Sequence, residues 1–337
     1  MPDRLAIPLQ DIADWHWLAR CTRLAARGKR SRESVQRYLN QFERSTSQVA
    51  AALRNGCLPY GSYRPFSIND PKPRVIHAAP FADRVAHHAL IGRMADRFER
   101  SQVESSYACR PGKGCHASII AAQKIAARSP YLLKMDVHSY FAFVDHEILL
   151  SLLQRLFKGQ GLFKLLNNVL ASFHTLPGRG LPIGALTSQY FANYYLDEFQ
   201  RALRRQHGVI DELRYMDDHW VGCASKQAAR DTVSFTNEWL QQHRKLSVKP
   251  VQIQRSAIGL PFCGFRVSSK GLRMGRRRIR AIKKHYQQIG RDYSAGVIGE
   301  SKAKHRLTSV TSLASPGSHS SVMNHIIATS GINNVCC

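Results

Sequence analysis

The chain has 337 residues, of which 44% are hydrophobic and 21% are charged, and this composition excludes a disordered tail or a collagen-like repeat. Its 49 Lys and Arg residues against 23 Asp and Glu residues give a net charge of +26, so the commonest partner expected is a phosphate backbone, with an anionic membrane surface as the competing interpretation. The apolar runs are too short to span a membrane and the chain opens without a signal peptide. We therefore expect a cytoplasmic protein with reduced cysteines and no membrane partner.

The first third of the chain predicts helices on either side of an extended stretch. Apolar residues recur at helical spacing over residues 31–53, and an Asn-Gly pair at 55–56 ends the pattern. The prolines within 59–80 predict extended segments and turns, and a further helix is expected near Asp83. These features predict a helical N-terminal extension over residues 1–60.

The middle of the chain predicts strands that end on carboxylates. A compact apolar run at 131–135, interrupted only by a lysine, predicts a strand that delivers Asp136 at its end. Two short strands, predicted over 212–216 and 220–224, flank Met-Asp-Asp-His at 216–219 and predict a hairpin with Asp217 and Asp218 at its tip. Carboxylates from separate stretches of the chain are therefore expected at strand ends.

Helices and a second hairpin complete the prediction. Asp145 is predicted to cap a helix, and a long helix is expected over 186–203. Another helix is predicted over 228–246, followed by a hairpin within 262–274. The chain then becomes strongly basic and helical.

Basic residues dominate the segment 266–306, where they are opposed only by Asp292 and Glu300. This asymmetry favours contact with nucleic acid over a merely solvated helix face. The candidate nucleic-acid contacts of this segment are Arg276, Arg277, Arg278, Lys283 and Lys284.

The adjacent carboxylates indicate a chemistry. Asp217 and Asp218 on a tight turn repel each other unless a cation lies between them, and a hard divalent ion with oxygen ligands is the natural cation. Two Mg²⁺ ions, or Mn²⁺ in their place, about 4 Å apart can support in-line phosphoryl transfer. In a basic protein this predicts phosphoryl transfer on nucleic acid, whereas an ordinary solvated β-turn is the alternative for the tetrapeptide alone.

Several blocks in a fixed order resemble the reverse transcriptases. The block at 136–141 and the tetrapeptide at 215–218 are similar to the family's palm, and the continuation at 143–146 looks like the intron-encoded branch. The remaining blocks that carry the resemblance, which covers roughly residues 60 to 290, are 71–76, 107–112 and 262–265.

This resemblance implies an α+β right-hand polymerase fold, with an antiparallel palm sheet backed by helices. Its expected parts are fingers over 61–130, a palm over 131–265 with a fingers-side segment near 175–187, and a basic helical thumb over 266–337. The chain after the second hairpin leaves room for a thumb and for no nuclease or RNase H domain.

The resemblance also implies roles for individual residues. Asp136 and Asp217 bridge two Mg²⁺ ions, Asp218 supports them, and Val137 belongs to the metal-binding group. Phe141 acts as a steric gate against a ribose 2′-hydroxyl. The remaining nucleotide-binding residues expected are Lys72, Arg74, Ile183, Gly184 and Gln189, and the further nucleic-acid contacts are Arg110 and Tyr215.

One block separates the branches of the family. Most members carry Gln-Gly followed by Ser-Pro, whereas this chain has Ile183 before the glycine and Gln189 after the serine, as the reverse transcriptases of diversity-generating retroelements do. Those enzymes copy a template-repeat RNA and misincorporate opposite its adenines. Loss of polar contacts worth about 1 kcal/mol each would loosen base-pair discrimination.

The implied partners are template RNA, a cDNA primer, deoxynucleotides and a small basic accessory protein that forms a pentameric barrel, in a bacterium or a phage-infected cell. A retron or phage-defence reverse transcriptase is the nearest alternative, and a non-enzymatic RNA-binding protein on a polymerase fold is a more remote one. The family usually supplies a lysine after the carboxylate hairpin. Here Gln252 stands at the aligned position, which leaves Lys249 as an alternative.

Overall fold

A computed structural model describes residues 4–69 and 73–312. This part of the chain forms two compact units, each assembled from three separate stretches. The first unit consists of the described residues within 1–109, 137–202 and 235–249, and the second of the described residues within 110–136, 203–234 and 250–337. The expected boundaries of fingers, palm and thumb stay predictions.

The described chain contains both helices and strands, as expected for a mixed α and β protein. The strands are β1 Leu5–Ala6, β2 Arg64–Asn69, β3 Pro73–Ala78, β4 Tyr131–Asp136, β5 Phe157–Lys158, β6 Val209–Tyr215, β7 Asp218–Cys223, β8 Gln252–Arg255, β9 Leu260–Phe262, β10 Phe265–Ser268 and β11 Gly271–Met274. The helices are α1 Leu9–Ile12, α2 Trp15–Ala26, α3 Glu33–Asn40, α4 Phe42–Arg54, α5 Phe81–Ser101, α6 Cys115–Arg128, α7 Tyr140–Phe143, α8 His146–Leu153, α9 Gln160–Ala171, α10 Leu186–Tyr195, α11 Asp197–Arg204, α12 Lys226–Arg244, α13 Arg276–Ser294 and α14 Glu300–Ser312.

The first unit is organised around α5, against which α2, α4 and α10 pack. The indole of Trp17 on α2 donates a hydrogen bond to the carbonyl of Ala89 on α5 at 3.0 Å, which satisfies the polar atom of an otherwise apolar contact. The apolar positions predicted for this helix are buried: Val85, Ala89, Leu90 and Met94. The predicted extended stretch forms the antiparallel hairpin β2–β3.

The helix predicted over 31–53 consists of two helices, α3 and α4, which meet at Gln41. The backbone of Gln41 has φ −117° and ψ 40°, outside the helical region. The hydroxyls of Tyr38 and Thr46, one on each helix, lie 3.3 Å apart. Because the apolar spacing continues across this single residue, the periodicity of the sequence does not reveal the break.

The helix predicted over 186–203 is also divided, at Leu196, into α10 and α11. Asp197 begins the second helix, and its carboxylate accepts hydrogen bonds from the backbone amide of Val103 at 2.8 Å and from Arg201 at 3.0 Å. The first of these partners is distant in sequence. The break therefore depends on a tertiary contact.

The second unit contains a four-stranded antiparallel sheet in the order β6-β7-β4-β8. Helix α6 packs against β6 and β7, where it approaches closely at Gly222. A Cβ atom at Gly222 would lie 2.1 Å from the Ser129 hydroxyl, so a larger residue would push the helix away. Trp220 on β7 is fully buried, with its ring centroid 5.3 Å from that of Phe262.

A three-stranded sheet, β9-β10-β11, replaces the simple hairpin predicted over 262–274. Cys263 and Gly264 both have positive φ, of 44° and 84°, and they turn the chain between β9 and β10. Helices α13 and α14 follow and pack together. No helix in the described ranges is both long and apolar enough to span a membrane.

Candidate active site

The strand ends of the second unit bring the predicted carboxylates together. Strands β4 and β7 are antiparallel, and their register places Asp136 directly opposite Asp218. Strands β6 and β7 are joined by a two-residue turn of Met216 and Asp217, in which Met216 has φ 58°. Opposed residues of an antiparallel pair carry their Cβ atoms about 5 Å apart on the same face of the sheet. The three carboxylates therefore belong to one end of this sheet.

Lys134 contributes a positive charge that the sequence analysis missed. Its ammonium lies 3.1 Å from the Asp218 carboxylate, and the two side chains are 20% and 25% exposed. Lys134 precedes Asp136 by two residues, so both side chains leave β4 on the same face. Strand alternation is the sequence signal for this lysine, because residues 134 and 136 of a strand share one face.

A buried arginine supports the turn. Arg214 is fully buried, and its Nη1 donates a hydrogen bond to the carbonyl of Met216 at 3.1 Å. Burial lowers the pKa of the neighbouring His219 well below its usual value, and the charge of Arg214 lowers it further. His219 is therefore neutral at neutral pH. On the neighbouring strand, Tyr215 is half-buried at the end of β6.

The donor set fits a hard divalent cation. Asp136, Asp217 and Asp218 offer only carboxylate oxygens, which Mg²⁺ prefers, and the ammonium of Lys134 shows that Asp218 accepts a cationic partner. The described residues contain no group of three or more His, Cys, Asp or Glu side chains arranged around a common ion position. Mg²⁺ usually takes one or two protein carboxylates and completes its shell with water and substrate phosphates, so a closed protein cage is not required.

Val137 follows the first carboxylate and belongs to the first unit, where it forms a bridge with Val248. Its side chain is fully buried and carries no donor atom. Only its backbone carbonyl can therefore serve as a ligand.

Backbone contacts in the first unit bring together several residues predicted to bind the nucleotide. The amide of His77 on β3 donates to the carbonyl of Ile183 at 2.8 Å, and the amide of Leu181 donates to the carbonyl of Phe141 at 2.7 Å. Gly184 has φ 111°, and a Cβ atom there would lie 2.8 Å from the Ile76 side chain. Segments distant in sequence therefore converge next to β3. Position 184 requires glycine, because its backbone has a positive φ and because a side chain there would collide with Ile76.

The other predicted nucleotide contacts have simpler surroundings. Arg74 is exposed on β3, directly opposite Ile68. Gln189 is half-buried on α10. Lys72 lies outside the described residues.

The predicted nucleic-acid contacts divide by exposure. Arg276, Arg277 and Lys284 are exposed on α13, and Lys283 is half-buried. Arg278 donates to the carbonyl of Cys263 at 2.9 Å. The predicted contact before α6, Arg110, is only 9% exposed, so its side chain is largely enclosed by protein.

Comparison with known proteins assigns the chain a family. The family model described as "Reverse transcriptase (RNA-dependent DNA polymerase)" matches residues 66–267, more than half of the chain. The chain is also 20% identical over 153 residues to the "Putative COX1/OXI3 intron 2 protein" of Saccharomyces cerevisiae (strain ATCC 204508 / S288c). That match covers 43% of this chain and 17% of the yeast protein, so the chain spans only a small part of that relative.

Proposed function

Because the chain belongs to the reverse transcriptase (RNA-dependent DNA polymerase) family, we propose that it extends a DNA primer by copying an RNA template. The observation that carries the proposal is the register that sets Asp136 opposite Asp218, beside the turn that contains Asp217. The net charge of +26 supports the binding of nucleic acid. The reaction proposed is transfer of a deoxynucleotidyl group to a primer 3′-hydroxyl.

In this proposal Asp136 and Asp217 bind two Mg²⁺ ions, for which Mn²⁺ can substitute, and the backbone carbonyl of Val137 is assigned as a further ligand. Two such ions, when bound, activate the attacking hydroxyl and neutralise the charge on the leaving pyrophosphate. Asp218 lies at the edge of the group, where Lys134 holds its carboxylate. Arg214 positions the turn by its hydrogen bond to the carbonyl of Met216.

The incoming nucleotide is assigned to residues of the first unit. Phe141 acts as the steric gate, and Arg74 binds the triphosphate, for which its exposed planar guanidinium is suited, together with Lys72. The close approach of Gly184 to β3 supports a role for the Ile183–Gly184 backbone beside the nucleotide. Gln189 lies in the first turn of α10, which begins two residues after Gly184.

The primer and template are assigned to exposed positive charge and to one aromatic side chain. Arg276, Arg277 and Lys284 contact phosphates, with Arg278 and Lys283 next to them. Tyr215, half-buried at the end of β6 next to the turn, is assigned to the primer end. Arg110 is only 9% exposed, so only a few of its atoms can reach the nucleic acid.

We propose further that the enzyme makes adenine-mutagenised cDNA from a template-repeat RNA, with a small basic pentameric accessory protein as its partner. The sequence feature behind this proposal is Ile183 in place of the polar residue that most relatives carry. Ile183 is half-buried, and its backbone carbonyl accepts a hydrogen bond from the His77 amide on β3. Its aliphatic side chain has no donor or acceptor, so it can contribute packing but no hydrogen bond.

The first experiment is primer extension on an RNA template with Mg²⁺. We expect Asp217→Asn to lower the rate at least about a thousandfold, because several kcal/mol of charge stabilisation depend on this carboxylate. Asp211→Asn is the matched control and should keep its activity, since Asp211 lies on β6, the strand that leads into the turn, but pairs with Arg128 at 2.8 Å. Undiminished extension by Asp217→Asn would refute the carboxylate assignment.

Sequencing of the wild-type product tests the finer proposal. Errors concentrated opposite template adenines would support the mutagenic retroelement role. Accurate copying of adenines would instead favour the retron or phage-defence type, while leaving RNA-directed synthesis intact.

A further inference from the structure

Two half-buried thiols of the second unit meet where α6 begins. Cys115 is the first residue of this helix, and Cys263 lies in the turn between β9 and β10. Helix α6 packs against β10, and this packing brings the Cys263 thiol within hydrogen-bonding reach of the Cys115 sulfur. The two residues are far apart in sequence, and the proposed polymerase function uses neither of them.

The surroundings of the pair distinguish its two sulfur atoms. Arg278 donates from Nη1 to the carbonyl of Cys263 at 2.9 Å, and its guanidinium also hydrogen-bonds to Cys115. The hydrogen bond from Cys263 and the charge of Arg278 lower the pKa of Cys115, whereas donating that hydrogen bond raises the pKa of Cys263. Cys115, at the positive end of α6, is therefore the thiolate of the pair.

The other cysteines of the described residues lack this combination. Cys109 is exposed, but desolvation raises the pKa of its thiol and no cation lowers it. Cys21 and Cys223 are buried, and burial raises the pKa of each to about 12, so both thiols stay protonated and shielded. Cys57 is half-buried like the pair, but its thiol donates to the carbonyl of Asn55 at 3.6 Å. A reactive thiolate needs both access and stabilisation, and the pair has both.

We propose that Cys115 and Cys263 form an oxidation-sensitive thiol pair, in which Cys115 reacts with a hydroperoxide and Cys263 then closes a disulfide. The Cys115 sulfur attacks one peroxide oxygen, the O–O bond breaks, and the first water leaves after taking up a proton. The sulfur is oxidised to a sulfenic acid while the peroxide is reduced. Cys263 then loses its proton and attacks this sulfur, so that the S–S bond forms, the S–O bond breaks and a second water leaves.

Such a bond would restrain the turn next to the carboxylate strand. Phe262 adjoins Cys263 in sequence and packs against Trp220, which follows Asp218 by two residues on β7. Oxidation is therefore expected to slow primer extension. This last step rests on the proposed function, whereas formation of the disulfide does not.

The test treats the reduced full chain with hydrogen peroxide at pH 7 and maps disulfides by mass spectrometry of a non-reducing digest. We expect a peptide pair linked through Cys115 and Cys263 that dithiothreitol separates. Wild-type protein suffices for this measurement, so it does not depend on the folding of a variant. Oxidation without this linked pair would overturn the proposal.

Variants identify the order of the steps. Cys263→Ser should accumulate a sulfenic acid on Cys115 that dimedone traps, Cys115→Ser should form no such adduct at position 263, and Cys57→Ser should behave as wild type. A trapped adduct on Cys263 instead of Cys115 would refute the assigned order.

Primer extension by the same protein samples is measured in parallel. Protein that forms the bond but never extends a primer contradicts the polymerase proposal alone, and protein that extends a primer but never forms the bond contradicts the thiol pair alone.

Discussion

Two aspartates lie beside lysine ammonium groups, one in each unit of the molecule, and their surroundings differ. In the first unit, Asp145 is 5% exposed, its Oδ1 accepts hydrogen bonds from two backbone amides of the helix it caps, and its Oδ2 lies 2.8 Å from Lys245. In the second unit, Asp218 has a quarter of its side chain exposed and lies 3.1 Å from Lys134, directly after the like-charged Asp217.

The difference separates a structural carboxylate from a candidate catalytic one. Hydrogen bonds of the fold itself surround Asp145, and this arrangement stabilises the helix start. Asp217 and Asp218 stand side by side on a tight turn, where like charges cost stability unless a cation is bound. Removing a carboxylate at these two places should therefore have opposite consequences for activity and for stability.

The largest effect is expected at the strand end opposite Asp218. Asp136→Asn should lower single-turnover primer extension at least about a thousandfold, because the carboxylate proposed to bind the metal becomes neutral. Its free energy of unfolding should stay within about 1 kcal/mol of wild type, as measured by denaturant unfolding without metal. A variant that extends normally, or that is inactive only because it is unfolded, would erase the distinction between the two sites.

The reverse pattern is expected in the first unit. Asp145→Asn should lower the free energy of unfolding by about 1 kcal/mol, because the charge-assisted hydrogen bond from Lys245 is lost while the amide oxygen of asparagine can still cap the helix. Extension per folded molecule should change little. Urea unfolding together with active-site titration of the remaining enzyme measures both quantities, and an equally stable variant would show that this carboxylate is not structural.

The stability difference between wild type and Asp145→Asn should depend on pH, because the Asp145 carboxyl titrates. Burial raises its pKa, but the hydrogen bond from Lys245 and that from the Ile148 amide outweigh burial, so the net pKa lies below its ordinary value of 3.8. A depressed pKa in the folded state stabilises the protein above the unfolded value and ceases to do so as pH falls through the folded one. The stability gap between wild type and Asp145→Asn should therefore shrink below about pH 4. A gap of constant size down to pH 3 would contradict this assignment.

A smaller effect is expected for the lysine of the second unit. Lys134→Met should bind Mg²⁺ about fivefold more tightly in a thermal-shift titration, because the ammonium no longer competes for Asp218, an interaction of about 1 kcal/mol. Lys124→Met, at an exposed position on α6, is the matched control and should leave Mg²⁺ affinity unchanged. Weaker binding by Lys134→Met would mean that the lysine orients the carboxylates instead of competing with the ion.

The smallest effect concerns accuracy. Ile183→Gln should lower misincorporation opposite adenine about threefold, since a polar side chain restores part of a hydrogen bond worth about 1 kcal/mol. Sequencing of cDNA from both proteins on one template measures the change. Ile183→Val keeps an apolar side chain at this position and should retain the wild-type error spectrum. An identical spectrum for Ile183→Gln would count against the packing argument.

Local features of the fold were predictable where the determining residues lie close together. The cap by Asp145, the strand ending at Asp136 and the hairpin around Asp217 each depend on a few neighbouring residues. The breaks at Gln41 and Leu196 were missed, because apolar periodicity continues through the first and a contact with distant Val103 stabilises the second.

The amino-acid sequence by itself determined the chemistry available to this protein: the oxygen ligands, the positive charge, and the ordered blocks that resemble reverse transcriptases. Tertiary structure decided which of these groups meet. The β4–β7 register set Asp136 opposite Asp218, strand pairing brought Lys134 to the same carboxylate, and packing of α6 against β10 joined Cys115 to Cys263. These contacts depend on hydrogen-bond register and on close packing between segments that are distant in sequence, and local sequence patterns do not encode either.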